Sequence, residues 1–155
     1  MGPKIKAVTD TGPIIHLREI GAEKALSAFR LLAPPAVSLE TKIPGSVKIS
    51  RNFDRNIAQI LQNEFGIGIA ESQCIALAKS EKISIFLTDD LDARTAAKEF
   101  GLEPHGTIGI ILKAYRQKIF SKKDAIALIY KMKTRSTIYI TQDLISHIIL
   151  EIEKR

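Results

Sequence analysis

Two apolar runs in this chain stop at aspartate and give way at once to a helical spacing. The first, residues 5–8, leads through Thr9 to Asp10, and the second, residues 83–87, leads through Thr88 to Asp89 and Asp90. Continuous apolar runs of this length read as parallel strands buried on both faces. Around them the pattern predicts a strand over 4–9, then Gly12-Pro13 as an N-cap followed by proline at the first helical position, where its missing N–H costs nothing. Helices are expected over 14–20 and 22–29, separated by Gly21, then a short strand over 30–33 ended by Pro34-Pro35, and a helix over 36–42. Residues 43–50, with Pro44-Gly45, read as a loop.

The second half repeats the alternation. Phe53, Ile57, Ile60 and Leu61 recur at a helical period over 53–64, Gly66 and Gly68 break it, and 70–79 forms a compact helix with a broad apolar face. A strand over 83–88, a helix over 91–100 stopped by Gly101, and a short third-layer strand over 102–104 follow. Helices over 108–115, 122–133 and 141–154 complete the chain, the last two amphipathic. Strands alternating with helices predict an α/β fold, a central parallel sheet flanked by helices.

Composition sets bounds on this picture. With 155 residues, 45% of them apolar, a single domain over 1–155 is expected, burying about 70% of its unfolded surface, with the helices from about 121 packing on it or extending it. No apolar run approaches the ~18 residues of a membrane span, and no signal-peptide pattern opens the chain. The single cysteine, Cys74, excludes an internal disulfide and a cysteine-rich zinc site. A cytoplasmic protein without membrane association is the expectation. Charge is uneven: residues 113–135 hold eight basic side chains and one acid, a net +7 that leaves −1 for the rest of a chain totalling +6. Such a segment suits a polyanion, or is a solvated lysine-rich face.

The carboxylates at the strand ends carry the candidate chemistry. In open α/β sheets, ligands bind beyond the carboxyl ends of the strands, where Asp10, Asp89 and Asp90 are placed. Asp10 also suits a turn, bonding to the amide of Gly12 or a neighbour. Thr88, Asp89 and Asp90 can each cap the next helix, but one cap needs one residue, not three. Arg94 stands four residues after Asp90, so it either orients a carboxylate or makes an exposed pair. Glu71, in the first turn of its helix, shares a face with Ile75 and Ala78 and so points along the buried side. Glu40, taken alone, is a surface acid. Carboxylates converging on one edge repel one another, and a hard divalent cation, Mg²⁺ or Mn²⁺, resolves this. His16, His105 and His147 lack metal-ligand spacing and read as structural, and Cys74 reads as a core thiol.

The ordered strings VTDTGPIIHL, PPAVSLE, GIAESQCIALA, FLTDDLDARTAAKEFGL and GTIGIILKAY resemble the PIN-domain nucleases. They are most similar to the group related to VapC-type toxins, whose members carry an Asp-Asp pair followed by arginine. The resemblance runs to about Tyr115. It implies a three-layer PIN-like fold, Mg²⁺- or Mn²⁺-dependent RNA cleavage, a possible small antitoxin partner and a homodimer. It assigns Asp10, Glu40, Glu71, Asp89 and Asp90 to catalysis. Asp10, Glu71 and Asp89 or Asp90 are assigned to the metal, and Glu40 to positioning water or a second ion, with Thr11 as the hydroxyl residue beside Asp10. Asp92 is a peripheral candidate. Two positions depart from the close relatives, which prefer glycine where Ala70 stands and often carry a second glutamate at Gln73. The alternative implied is a PIN-like RNA-processing or binding module with little catalysis. A phosphoacceptor receiver domain is excluded by the first strand, which ends in Asp10-Thr11-Gly12 where an acidic pair would be needed.

Overall fold

The computed structural model describes residues 4–154. Five parallel strands form one sheet: β1 (Ile5–Thr9), β2 (Phe29–Ala33), β3 (Val47–Ile49), β4 (Ile85–Leu87) and β5 (Glu103–His105), in the order β3-β2-β1-β4-β5. From β1 the chain winds outward to β2 and β3, then crosses back to place β4 on the other side of β1. The strand order therefore reverses between β1 and β4, and that reversal opens a crevice beyond the carboxyl ends of these two strands. Asp10 follows β1, and Asp89 and Asp90 follow β4, so the two aspartate-ended runs flank the crevice.

Helices cover both faces, giving three layers. On one face α4 (Ile69–Glu81) packs on β1 and β4, with α3 (Arg55–Phe65), α5 (Leu91–Glu99) and α2 (Pro35–Glu40) against it. On the other, α1 (Thr11–Glu19), a 3₁₀ turn at Glu23–Ala28 and α6 (Thr107–Arg116) pack together. Outside them, α7 (Lys122–Arg135) lies on α6 and α8 (Gln142–Glu153) lies on α7. Ile129, Met132, Ile145 and Ile152 join these outer helices to the same apolar cluster that contains Val8, Ile75, Phe86 and Leu87 of the sheet layer. No helix among the described residues is long and apolar enough to cross a membrane.

Four elements differ from the sequence expectation. α1 starts at Thr11 because Asp10 is its N-cap, extended at φ −82° and ψ 174°, with a carboxylate oxygen accepting from the Thr11 N–H. Proline is tolerated at the third helical position as well as the first, since none of these early N–H groups has a partner within the helix. The second helix is a 3₁₀ turn: Ala22, Ala25 and Ala28 recur every third residue, the eclipsing period of that helix, and all three are fully buried. The loop over 43–50 contains β3, whose Val47 pairs with Leu31 and Ile49 with Ala33. Three residues on a sheet edge carry too little alternation to be read. The strand after Gly101 is β5, paired with β4 in the one sheet through Ile85 and Glu103.

Candidate functional site

Asp10 is the floor of the crevice. It is 3% exposed; one carboxylate oxygen caps α1 and the other accepts from Thr88 Oγ1 at 3.0 Å. Thr88 Oγ1 in turn accepts from the Asp90 N–H at 3.2 Å, so a single hydroxyl ties the end of β1 to the start of α5. Burial pushes the Asp10 carboxyl up to about 7, and repulsion from Glu71 and Glu40 adds to this against the lowering effect of its two hydrogen bonds.

Glu71 stands on the neighbouring wall, in the first turn of α4. Burial raises its carboxyl above the ordinary range; a hydrogen bond from its own amide opposes this, and the charges of Glu40 and Asp90 reinforce it. Its carboxylate folds back over Gly68, where a Cβ would lie only 2.3 Å from Oε2. Glycine at the N-cap of α4 is therefore what leaves room for this side chain. Beneath, the fully buried Cys74 places Sγ 3.5 Å from the Thr9 carbonyl. Burial and the charges of Asp10, Glu71 and Glu40 raise its thiol well above normal and keep it neutral. Cys74 is the core thiol read from the sequence.

Asp89 and Asp90 part company. Asp89 turns toward the opposite face: His16 Nδ1 lies 2.7 Å from Oδ2, the Thr107 N–H donates to Oδ1 at 2.7 Å, and Thr107 Oγ1 donates to Oδ2. Burial alone would raise this carboxyl, but those bonds from His16 and Thr107 hold it below the ordinary value. Both its oxygens are thus engaged in joining α1 to the start of α6. Asp90 is exposed, caps α5 through the Ala93 N–H at 2.8 Å, and faces Glu71 closely enough to raise it. Arg94 binds neither aspartate; its guanidinium donates to the Thr88 carbonyl at 3.2 Å and so fixes the end of β4.

The structure brings Asp10, Glu40 and Glu71 within electrostatic reach of one another, puts Asp90 within reach of Glu71, sets Asp89 aside, and leaves Asp92 exposed in the first turn of α5. Glu40 is exposed at the end of α2, just before Thr41 and Lys42, which Arg18 anchors from α1. The donor set suits a hard divalent ion: carboxylates whose charges reach and raise Asp10 and Glu71, beside a buried Thr11 Oγ1 with no hydrogen-bond partner. Among the described residues no three His, Cys, Asp or Glu side chains are close enough to grip an ion as they stand.

Three positioning residues, Thr88, Thr107 and Gly68, were not legible as such. Their roles depend on contacts across 78, 18 and 3 residues, and only the last lies within reach of a local motif. The first part of the basic segment falls elsewhere than the crevice. Lys113 Nζ sits 5.7 Å from the ring centre of Phe29, the first residue of β2, and Gln117 donates to the Ala28 carbonyl. The end of α6 thus lies at the strand-start side, opposite the carboxylates, because a helix after β5 runs antiparallel to the sheet. The crevice instead has an apolar rim. Leu39, Ile69 and Leu91, next to or two residues from Glu40, Glu71 and Asp90, are 87%, 58% and 77% exposed.

An acidic crevice at the carboxyl edge of a parallel sheet flanked by helices places the protein in the three-layer α/β class. The family model DUF3368, a PIN domain, matches residues 6–154, and the chain belongs to the PIN-domain family. PIN domains are usually nucleases, and they generally use divalent metals. No curated protein and no solved structure matches the chain.

Proposed function

We propose that this chain is a divalent-metal-dependent endoribonuclease that hydrolyses RNA phosphodiester bonds at the Asp10 crevice. The observation that carries the reading is the pair of raised carboxyls at the crevice, Asp10 and Glu71, each desolvated, with the charge of Glu40 acting on both, that of Glu71 on Asp10 and that of Asp90 on Glu71. Asp10, Glu71 and Asp90 would hold Mg²⁺ or Mn²⁺, with Glu40 at the mouth. When bound, such an ion supplies an acidified water and neutralises charge on the scissile phosphate. Asp10, held by Thr11 and Thr88, stays fixed in orientation. Thr11 Oγ1 is free to donate to a water or a phosphate oxygen. Glu40, exposed at the rim, is placed to take the proton of the attacking water. Asp89 serves as a positioning residue that locks α1 to α6.

The exposed Leu39, Ile69 and Leu91, each beside or two residues from one of the crevice acids, support a protein partner on the rim, since large exposed apolar side chains gathered at one site mark interaction surfaces. In this reading the chain is the toxin of a VapBC-type pair in the cytoplasm, restrained by a small antitoxin and assembled as a homodimer. That no three of these side chains stand together as metal ligands among the described residues favours the second reading, an RNA-processing or binding module with little turnover. Purified protein incubated with RNA and Mn²⁺ separates the two. Cleavage that needs the ion and disappears in Asp10→Asn is expected; cleavage that persists in that variant removes the proposed site.

A further inference from the structure

A second cavity opens on the same edge of the sheet, toward β3. It measures about 250 Å³ and is lined by Arg51, Phe53, Arg55, Gln59, Gln62 and Gln73. Its position follows from the fold. Ser50 N–H donates to the Ala33 carbonyl at the carboxyl end of β2, so Arg51 leaves the sheet at the carboxylate side. Gln73 Oε1 accepts from the Ala36 N–H at the start of α2, and Gln73 lies two residues past Glu71 on α4. The cavity and the acidic crevice therefore share α2 and α4, with the β1 and β3 axes roughly 10 Å apart, two strand spacings.

Its chemistry is the reverse of the crevice. Arg51 and Arg55 are exposed, and neither forms an ion pair with a carboxylate among the described residues. Asp54, between them in sequence, is occupied by its own helix, accepting from the Asn56 and Ile57 N–H groups. The remaining lining is neutral: three glutamines able to donate and accept, a half-buried phenylalanine ring, Pro35 and Ala58. Arginine pairs bind phosphate through planar forks, and aromatic rings beside them suit unstacked bases. At this size the cavity is below the ~300–1,000 Å³ of drug-sized sites but admits a phosphodiester unit.

Resting on the nuclease reading above, we propose that Arg51 and Arg55 form a phosphate-binding subsite for single-stranded RNA next to the acidic crevice, with Phe53 and Gln73 facing the adjoining nucleotide. These are positioning residues: they hold the strand so that a neighbouring phosphate reaches Asp10.

The test is binding of a fluorescent single-stranded RNA of about a dozen nucleotides by the full chain with divalent ions chelated. Arg51→Ala/Arg55→Ala is expected to weaken binding about tenfold or more and to lower the salt slope by about 1.4, the share of two phosphate contacts. Gln73→Glu, which keeps the Ala36 bond and adds a negative charge to the cavity, is expected to weaken it severalfold. Lys122→Ala/Lys123→Ala, on α7 next to Phe120 under Lys24, is expected to change it less than twofold. With Mn²⁺, the arginine variant raises KM and leaves kcat nearly unchanged. Equal losses in the arginine and lysine variants, no loss in the arginine variant, or no RNA binding by the parent chain would each overturn the subsite. Arginine-dependent binding without any cleavage would keep the subsite and remove the nuclease reading.

Discussion

A buried aspartate and a half-buried one are shifted in opposite directions, and that contrast separates a candidate binding carboxylate from a structural one. Burial pushes Asp10 up to about 7, far above the ordinary carboxylate range. Its neutral form is favoured in the fold, so stability declines as pH rises from about 4 to about 7, by on the order of 4 kcal/mol if nothing offsets the charge. Asp10→Asn keeps an oxygen for the Thr11 N–H and removes that charge. In metal-free buffer at pH 8 it is expected to raise the thermal midpoint by several degrees, with the difference vanishing near pH 4; a midpoint at or below the parent's at pH 8 would refute the buried-charge account. Asp89 is lowered, so its contribution is present above its unfolded value and fades as pH falls through the depressed folded one. Asp89→Asn faces His16 and Thr107 Oγ1 with a donor in place of an acceptor and is expected to cost about 1–3 kcal/mol. Asp90→Asn keeps a good helix cap and is expected to leave the midpoint within a degree or two while sharply reducing Mn²⁺-dependent cleavage. The reverse pattern in thermal melts and cleavage assays would exchange the two assignments. The sequence left this pair open because both aspartates suit the same cap, and only the distant His16 and Thr107 distinguish them.

Among the elements, the N-terminus of α4 decides whether the crevice closes. Gly68 adopts φ −70°, which alanine also accepts, so its role is space and not backbone freedom. Gly68→Ala places a methyl where the Glu71 carboxylate rests, and that flexible end moves aside at little cost to the fold. Stability is expected to fall by less than about 1 kcal/mol, while the Mn²⁺ concentration for half-maximal cleavage shifts by tenfold or more in either direction. An unchanged metal dependence would mean that Glu71 takes no part. Elements with strong periodicity, such as α3 and α4, were legible to within one or two residues at most ends. The weaker ones failed for local reasons: β3 is a three-residue edge strand, and the alanines at 22, 25 and 28 obey a period of three, not 3.6.

Across the whole molecule, acid and base are sorted by sheet topology. The strand order places Asp10 and Asp90 at one crevice and the first part of the 113–135 segment at the other end, an arrangement that charge counting along the chain does not reveal. What the sequence carried was the alternation of strands and helices and the aspartates that end them. What it withheld was the pairing of β1 with β4, which needs Val8 to meet Phe86 and Thr9 to meet Leu87. Arg51 and Arg55, unremarkable in sequence, are brought to the same edge of the sheet by β3. The central claim is that the crevice gathers a divalent ion, and a crystal soaked in Mn²⁺ and measured at the manganese absorption edge tests it. The account predicts an anomalous peak bound by Asp10, Glu71 and Asp90, with Glu71 swung away from Gly68. A peak on Asp89, or none within reach of Asp10, would contradict it.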